Sequence, residues 1–258
     1  MPFRQAVFPK LVNFNSEISC EFLDKYNNYR DEEIREERSS KSSKTFAPSS
    51  LHCKRLSWFR LKGTEPDKIE TPDKGLDFTA KIGTACHRII QSNLINIYKD
   101  DWIDASWYLE NILKPKYKYS VKQSGFETLV MIEKPPIKFA CDGILRIKNK
   151  YYLLEIKTSD HSSFANLQSP KKHHIDQIIC YSTLLGLDNI LVMYQDRLYG
   201  DIKVFEEHNT QDQKEDLWNM FDEVMKDAET YIAPEKLPYG DPFCSSNMCP
   251  YYNKCKEY

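Results

Sequence analysis

Asp142, Glu155 and Lys157 lie inside "CDGILRIKNKYYLLEIKT", among apolar neighbours that alternate as strand residues do. The polar break "KNK" between Ile147 and Tyr151 reads as the turn of a hairpin. A turn centred on Lys148 and Asn149 sets Asp142 opposite Glu155; a centre shifted by one residue sets it opposite Lys157. Glu155 and Lys157 are two apart and leave one face of their strand. Two carboxylates this close resist joint ionisation unless a cation lies between them. Hard oxygen donors suit Mg²⁺ or Mn²⁺. Such an ion acidifies a water and takes charge from a phosphoryl oxygen, and Lys157 would orient that water or stabilise a charged transition state. A salt bridge on an exposed sheet face would use the same residues.

Two helices are expected to complete the site. "KIGTACHRII" puts His87 four residues after Gly83, on one helical face. A neutral imidazole is a ready metal ligand. "HHIDQIICYSTLLG" puts Gln177 and Tyr181 at i and i+4, where an amide and a phenol can hold a water, the lysine or a phosphate oxygen.

Taken in chain order, G-x3-H, C-D-G, E-I-K and Q-x3-Y resemble the RecB-like branch of the PD-(D/E)XK nuclease superfamily. The resemblance implies a restriction-endonuclease-like α/β core. It implies His87, Asp142, Glu155 and the backbone carbonyl of Ile156 as metal ligands, and Lys157 as a catalytic residue alongside Asp142 and Glu155. Gln177 and Tyr181 would support the site and contact DNA. The implied activity is a metal-dependent DNA exonuclease acting on ends or single strands in recombination, repair or end processing. A flap or branch endonuclease is one alternative. A catalytically silent DNA-binding recombination module is another. Cys141 stands where many members carry proline. Glu127 matches an acidic position of the superfamily, but reads here as a surface glutamate.

Eight cysteines in a chain of this kind are expected to be reduced, buried or metal-bound. Cys244, Cys249 and Cys255 form C-x4-C-x5-C. Cys53, in a basic segment beside Lys54 and Arg55 that would favour thiolate, is the fourth candidate. Four thiolates suit zinc or an iron–sulfur cluster. One distant cysteine plus a C-terminal trio resembles the AddB-type nucleases and the four-cysteine CRISPR-adaptation exonucleases, which implies a [4Fe–4S] cluster; a structural Zn²⁺ is the alternative. Either would staple the chain's end to the segment at 47–63. Cys20, Cys86, Cys141 and Cys180 are expected in the core.

The remaining sequence must position these residues. It has 258 residues, 41% of them hydrophobic, enough for a sizeable core. Residues 1–45 read as an arm, with Ser16 capping a helix that carries Ile18, Phe22, Tyr26 and Tyr29 on one face. The nuclease core is expected over 46–240 and a cysteine lobe over 241–258. The spacing predicts helices at 47–63, 81–98, 102–113, 172–185 and 211–231. Strands are predicted at "FETLVMIEK", "KFACDGILRI", "YYLLEIKTS", 190–195 and 201–206. The whole reads as mixed α/β, with a mostly antiparallel central sheet flanked by helices.

A net charge of −2 neither demands nor excludes nucleic acid. Lys114, Lys116, Lys118 and Lys122, and Lys171, Lys172, His173 and His174, are expected to meet phosphates. Trp58, Phe59 and Tyr251 are expected to stack on unpaired bases. DNA is the expected partner, with recombination or replication proteins beside it. With no run near the roughly 20 apolar residues of a membrane span, and no apolar leader in the first residues, a cytoplasmic site in a bacterial or phage-infected cell is expected.

Overall fold

A computed structural model describes residues 17–39, 44–68, 72–238 and 240–258. The expected Ser16 cap and the serine-rich residues 40–43 lie outside them. In chain order the elements begin with α1 (Glu17–Ser39), a 3₁₀ turn (Pro48–Ser50), α2 (Lys54–Leu61) and α3 (Lys74–Tyr98). Next come β1 (Trp102–Ile103), α4 (Ala105–Tyr108), β2 (Tyr119–Ser124), β3 (Glu127–Ile132) and β4 (Ile137–Cys141). β5 (Gly143–Ile147), β6 (Lys150–Ser159), α5 (His161–Ala165) and α6 (Lys172–Leu185) follow. The chain closes with β7 (Asn189–Asp196), β8 (Ile202–His208), α7 (Gln211–Thr230) and α8 (Tyr252–Lys256).

The strands form a five-stranded sheet in the order β1-β5-β6-β7-β8 and a three-stranded sheet in the order β2-β3-β4. β6 and β7 pair in parallel, and the crossover between them carries α5 and α6; the other pairs are antiparallel. The mixed, helix-flanked architecture is therefore as the sequence reads, with one difference that matters. "KFACDGILRI" is two strands, not one. The chain leaves the smaller sheet at Cys141 and enters the larger at Gly143, so Asp142 stands at the corner between them. Gly143 allows the corner: a Cβ there would lie 2.5 Å from the Trp102 ring.

The hairpin between β5 and β6 turns on Lys148 and Asn149, both left-handed at φ 48° and 60°. Two successive positive φ values match the twist of a two-residue hairpin. Pairing runs from Ile147↔Lys150 to Gly143↔Leu154, so the first of the two expected registers is the one formed and Asp142 comes next to Glu155.

The predicted helix over 102–113 forms only from Ala105. Trp102 and Ile103 instead pair with Leu145 and Ile144, and Asp104 then caps α4 by accepting from Trp107 N–H, the helix continuing as a π-helical turn over Leu109–Leu113. α3 begins at Lys74, seven residues before the apolar stripe suggested, because Asp73 caps it by accepting from the Gly75 and Leu76 amides. α7 opens with a reciprocal capping box between Thr210 and Gln213.

Two apolar clusters sandwich the larger sheet. One holds Ile144, Leu153, Ile178, Leu184, Val192 and Phe221 and extends to Trp58 and Phe59. The other lies under α3 and holds Ile90, Leu145, Leu154, Ile156 and Met193. Each such side chain contributes about 1.5–3 kcal/mol by burial. On β6, Leu154 and Ile156 join the second cluster while Leu153 joins the first. By alternation Glu155 and Lys157 share Leu153's face, the one covered by α6. α1 is held to α3 by ion pairs Arg30–Asp77, Lys74–Asp31 and Lys81–Glu33, and by buried Ile34. Its expected stripe of Ile18, Phe22, Tyr26 and Tyr29 is exposed. No described helix is long and apolar enough to cross a membrane.

Candidate active site

Asp142 is buried at its corner, and three partners hold it. Its Oδ2 accepts from the Ile156 amide at 2.7 Å, its Oδ1 lies 3.2 Å from His87 Nδ1, and its main-chain carbonyl accepts from Gln91 Nε2 at 2.8 Å. Gly83, His87 and Gln91 are successive fourth residues along one face of α3. Gln91 was not singled out from the sequence, although the same i, i+4 spacing that found His87 reaches it. Gly83 is not required for space: a Cβ would meet Thr158 Oγ1 at 3.5 Å, an ordinary contact.

Glu155 is buried in the middle of β6 and Lys157 is half-buried two residues on. Lys157 Nζ donates to Glu155 Oε1 at 2.6 Å and to Gln177 Oε1 at 3.0 Å. Gln177 Nε2 in turn donates to Tyr181 OH at 2.7 Å, and the Tyr181 ring stacks on Phe139 with centroids 5.3 Å apart. The i, i+4 pair on α6 thus reaches the lysine, one of the roles its spacing allowed. Glu155 Oε2 is buried and meets no hydrogen-bond partner.

Glu127 departs from the sequence reading. It is half-buried at the start of β3, and its carboxylate, His87 and Asp142 offer ligand atoms all within 4.8 Å of one another. The surface reading of Glu127 is therefore corrected. β3 pairs with β4 up to Thr128↔Cys141, and this register carries Glu127 to the Asp142 corner. Glu155 is not in that compact group, and Lys157 engages one of its oxygens.

The protonation states follow from crowding. Burial, reinforced by Asp142, pushes the Glu155 carboxyl up to about 7 despite the pull of Lys157 and His87. Burial and then Asp142 also raise Glu127, with His87 and Arg88 opposing. For His87 burial favours the neutral ring, but the Asp142 hydrogen bond and charge outweigh it and leave the imidazole raised. Two carboxylates around one imidazole, with the buried, unpartnered oxygen of Glu155 on the neighbouring strand, are a donor set that suits a hard divalent cation.

Of the expected phosphate contacts, His173 and His174 lie within electrostatic reach of Lys157, which helps depress both imidazoles after burial itself. His174 Nδ1 lies 2.6 Å from Tyr194 OH, which also accepts from the Lys171 amide. Lys171 is half-buried and Lys172 exposed at the start of α6. Lys114, Lys116, Lys118 and Lys122 are exposed, and Lys118 faces Glu133 at 3.8 Å. Trp58, Phe59 and Tyr251 are not available to bases. They are at most 2% exposed, and the Phe59 ring stacks on Tyr251 inside the core.

Cys53, Cys244, Cys249 and Cys255 line one cavity between the start of α2 and the C-terminal segment, together with Arg55 and Phe243. Cys53 caps α2, its sulfur accepting from the Leu56 amide at 3.4 Å. Cys53 is partly exposed, as expected, but the thiolate-favouring setting is corrected: burial raises the Cys53 thiol, and Lys54 turns outward to Glu223. Burial raises Cys249 to about 11, with Cys53, Cys255 and Cys244 adding to it. Cys141 and Cys180 are buried as expected, Cys86 is half-buried and Cys20 is exposed on α1.

No known protein family matches the sequence, and no curated protein matches it. Among solved structures, the crystal structure of SSO0001 aligns over 92% of this chain and 96% of its own, at 17% identity and a TM-score of 0.46. An alkaline exonuclease (LHK-Exo) from Laribacter hongkongensis aligns over 78% of this chain and 94% of its own, at 14% identity and a TM-score of 0.38.

Proposed function

We propose that this chain is a Mg²⁺- or Mn²⁺-dependent deoxyribonuclease with exonuclease action on DNA ends or single strands. The observation that carries the reading is the convergence at the Asp142 corner. An imidazole and two carboxylates, His87, Glu127 and Asp142, offer ligand atoms within 4.8 Å of one another there, with Glu155 on the neighbouring strand beside a lysine held by an amide. His87, Asp142, Glu127 and Glu155 are the side chains that would hold the cation, with the Ile156 carbonyl next to them. A divalent ion bound there would supply Lewis-acid polarisation of a phosphoryl oxygen and acidify a water.

The chain's own residues do the rest. The Ile156 amide and His87 fix the Asp142 carboxylate before any substrate arrives. Gln177 aims the Lys157 ammonium, and Tyr181 holds Gln177. Lys157 can thereby place positive charge beside a phosphodiester without reorganising. The test is incubation of purified protein with end-labelled linear DNA with and without Mn²⁺. Shortening from the ends is expected, with none for Lys157→Ala. Equal cleavage of circular single-stranded DNA would make it an endonuclease, and tight binding without cleavage would reduce it to a silent DNA-binding module.

The same reading assigns Cys53, Cys244, Cys249 and Cys255 to a [4Fe–4S] cluster. Its support is their shared cavity, which brings Cys53 to the C-terminal trio. Elemental analysis of anaerobically purified protein decides it: iron is expected, and zinc would replace the cluster with the alternative.

A further inference from the structure

The cysteine cavity contains a charge with no evident counterpart. Arg55, in the first turn of α2, is 6% exposed. Its Nε donates to the Pro234 carbonyl at 2.6 Å and its Nη1 points at Cys255 Sγ at 3.9 Å. Among the described residues no carboxylate pairs with it. Pro234 lies just beyond α7, so the guanidinium ties that loop and the C-terminal segment to α2. A buried guanidinium without an anion is costly, and one carbonyl dipole does not neutralise it. Lys236, the other cation on the cavity wall, is exposed, and salt screens its field.

We propose that Arg55 is the built-in countercharge of the four-cysteine site, neutralising anionic sulfur at Cys255 and favouring the more negative state of the bound group. This rests on the four-cysteine reading above. Four thiolates around a dication, or around a [4Fe–4S]²⁺ core, carry two net negative charges. A buried, hydrogen-bonding guanidinium offsets one of them. Hydrogen bonds to the sulfurs and nearby charge set both metal retention and the reduction potential of such groups. Arg is suited to the task because its planar fork serves Pro234 and Cys255 together, which a lysine's point charge cannot. For a cluster, one added electron makes the group more negative, so Arg55 shifts its one-electron couple to higher potential.

The experiment compares wild type, Arg55→Gln and Arg55→Lys, all purified without oxygen. Iron and zinc per chain are measured first, then the rate of metal release to a chelator. Where iron is present, the midpoint potential is read by titration with dithionite. Arg55→Gln should release metal about 10-fold faster or more and show a more negative midpoint, with Arg55→Lys between it and wild type. A purely structural arginine would lower thermal stability without moving the midpoint. Wild-type release and midpoint in Arg55→Gln would overturn the proposal. Should that variant fail to fold, Arg55→Met, which also removes the charge, takes its place, and wild-type release from it overturns the proposal instead. If wild type carries zinc, release alone decides. Wild type with no bound metal would defeat the four-cysteine reading itself, a result distinct from equal release by metal-loaded variants.

Discussion

The carboxylate corner and the cysteine cavity are built on opposite plans. Around Asp142, neighbouring strands and two helix faces deliver groups that already bond to one another: Asp142 to the Ile156 amide, Lys157 to Glu155 and Gln177. In the cavity, Cys53 and the C-terminal trio come from segments about 190 residues apart, and the closing of so long a loop is entropically unfavourable. Burial raises Cys53 and Cys249 above ordinary thiols. Secondary structure holds the first site together, whereas the second is joined by contacts across the closed loop, Phe59 on Tyr251 and Arg55 to Cys255, to which the proposed bound group would add. Loss of the bound group should therefore be mainly a catalytic defect at the corner and a folding defect at the cavity.

The largest test of that contrast is chemical. Lys157→Ala or Asp142→Asn should lower DNA cleavage by about 10²–10⁴-fold while the melting temperature stays within a few degrees. A collapse in stability on either change would break the comparison from the catalytic side. Cys255→Ser should do the reverse. It should lose the bound metal and lower the melting temperature by on the order of 10 °C, since 1 kcal/mol corresponds to about 2–4 °C in a chain of this size.

A finer test concerns Glu127. Glu127→Gln should raise the Mn²⁺ concentration needed for half-maximal activity by about 10-fold, as loss of a supporting ligand does. An unchanged requirement would remove Glu127 from the metal set. The pH response sharpens the same point. In chelator-treated protein, Glu155 and His87 both hold their protons to higher pH than in the unfolded chain. The stability Glu155 contributes is full below pH 4.5 and drains as the pH rises towards about 7, and that of His87 is full below pH 6.5 and drains as the pH rises through its raised value. The melting temperature should fall across that window, and Glu155→Gln should flatten the fall. The smallest effect is expected from Tyr181→Phe. It removes an acceptor from Gln177 at about 1 kcal/mol, read as a few-fold loss of turnover with DNA binding unchanged.

Much of the corner was legible because its signals are local. Two-residue spacing puts Glu155 and Lys157 on one strand face, and i, i+4 spacing puts Gln177 with Tyr181 and Gly83 with His87. Both periodicities belong to the backbone. α6 and α7 were legible for the same reason, with apolar stripes ending at Gly186 and Tyr231 in left-handed caps. The short β1 was not, because two residues have no period and Trp102 is a strand residue only through its pairing with Leu145.

By itself, the sequence determined which residues share a strand or helix face and which cysteines form a cluster in the chain, and it narrowed the hairpin to two registers. Those are consequences of fixed rise and rotation per residue. Only the tertiary structure decided that the strand breaks at Asp142 and that Glu127 arrives there from a second sheet. It also decided that Trp58, Phe59 and Tyr251 are core, and that Arg55 turns inward onto Cys255. These depend on which surfaces pack together once the chain has closed, and contacts between distant segments leave no period to read.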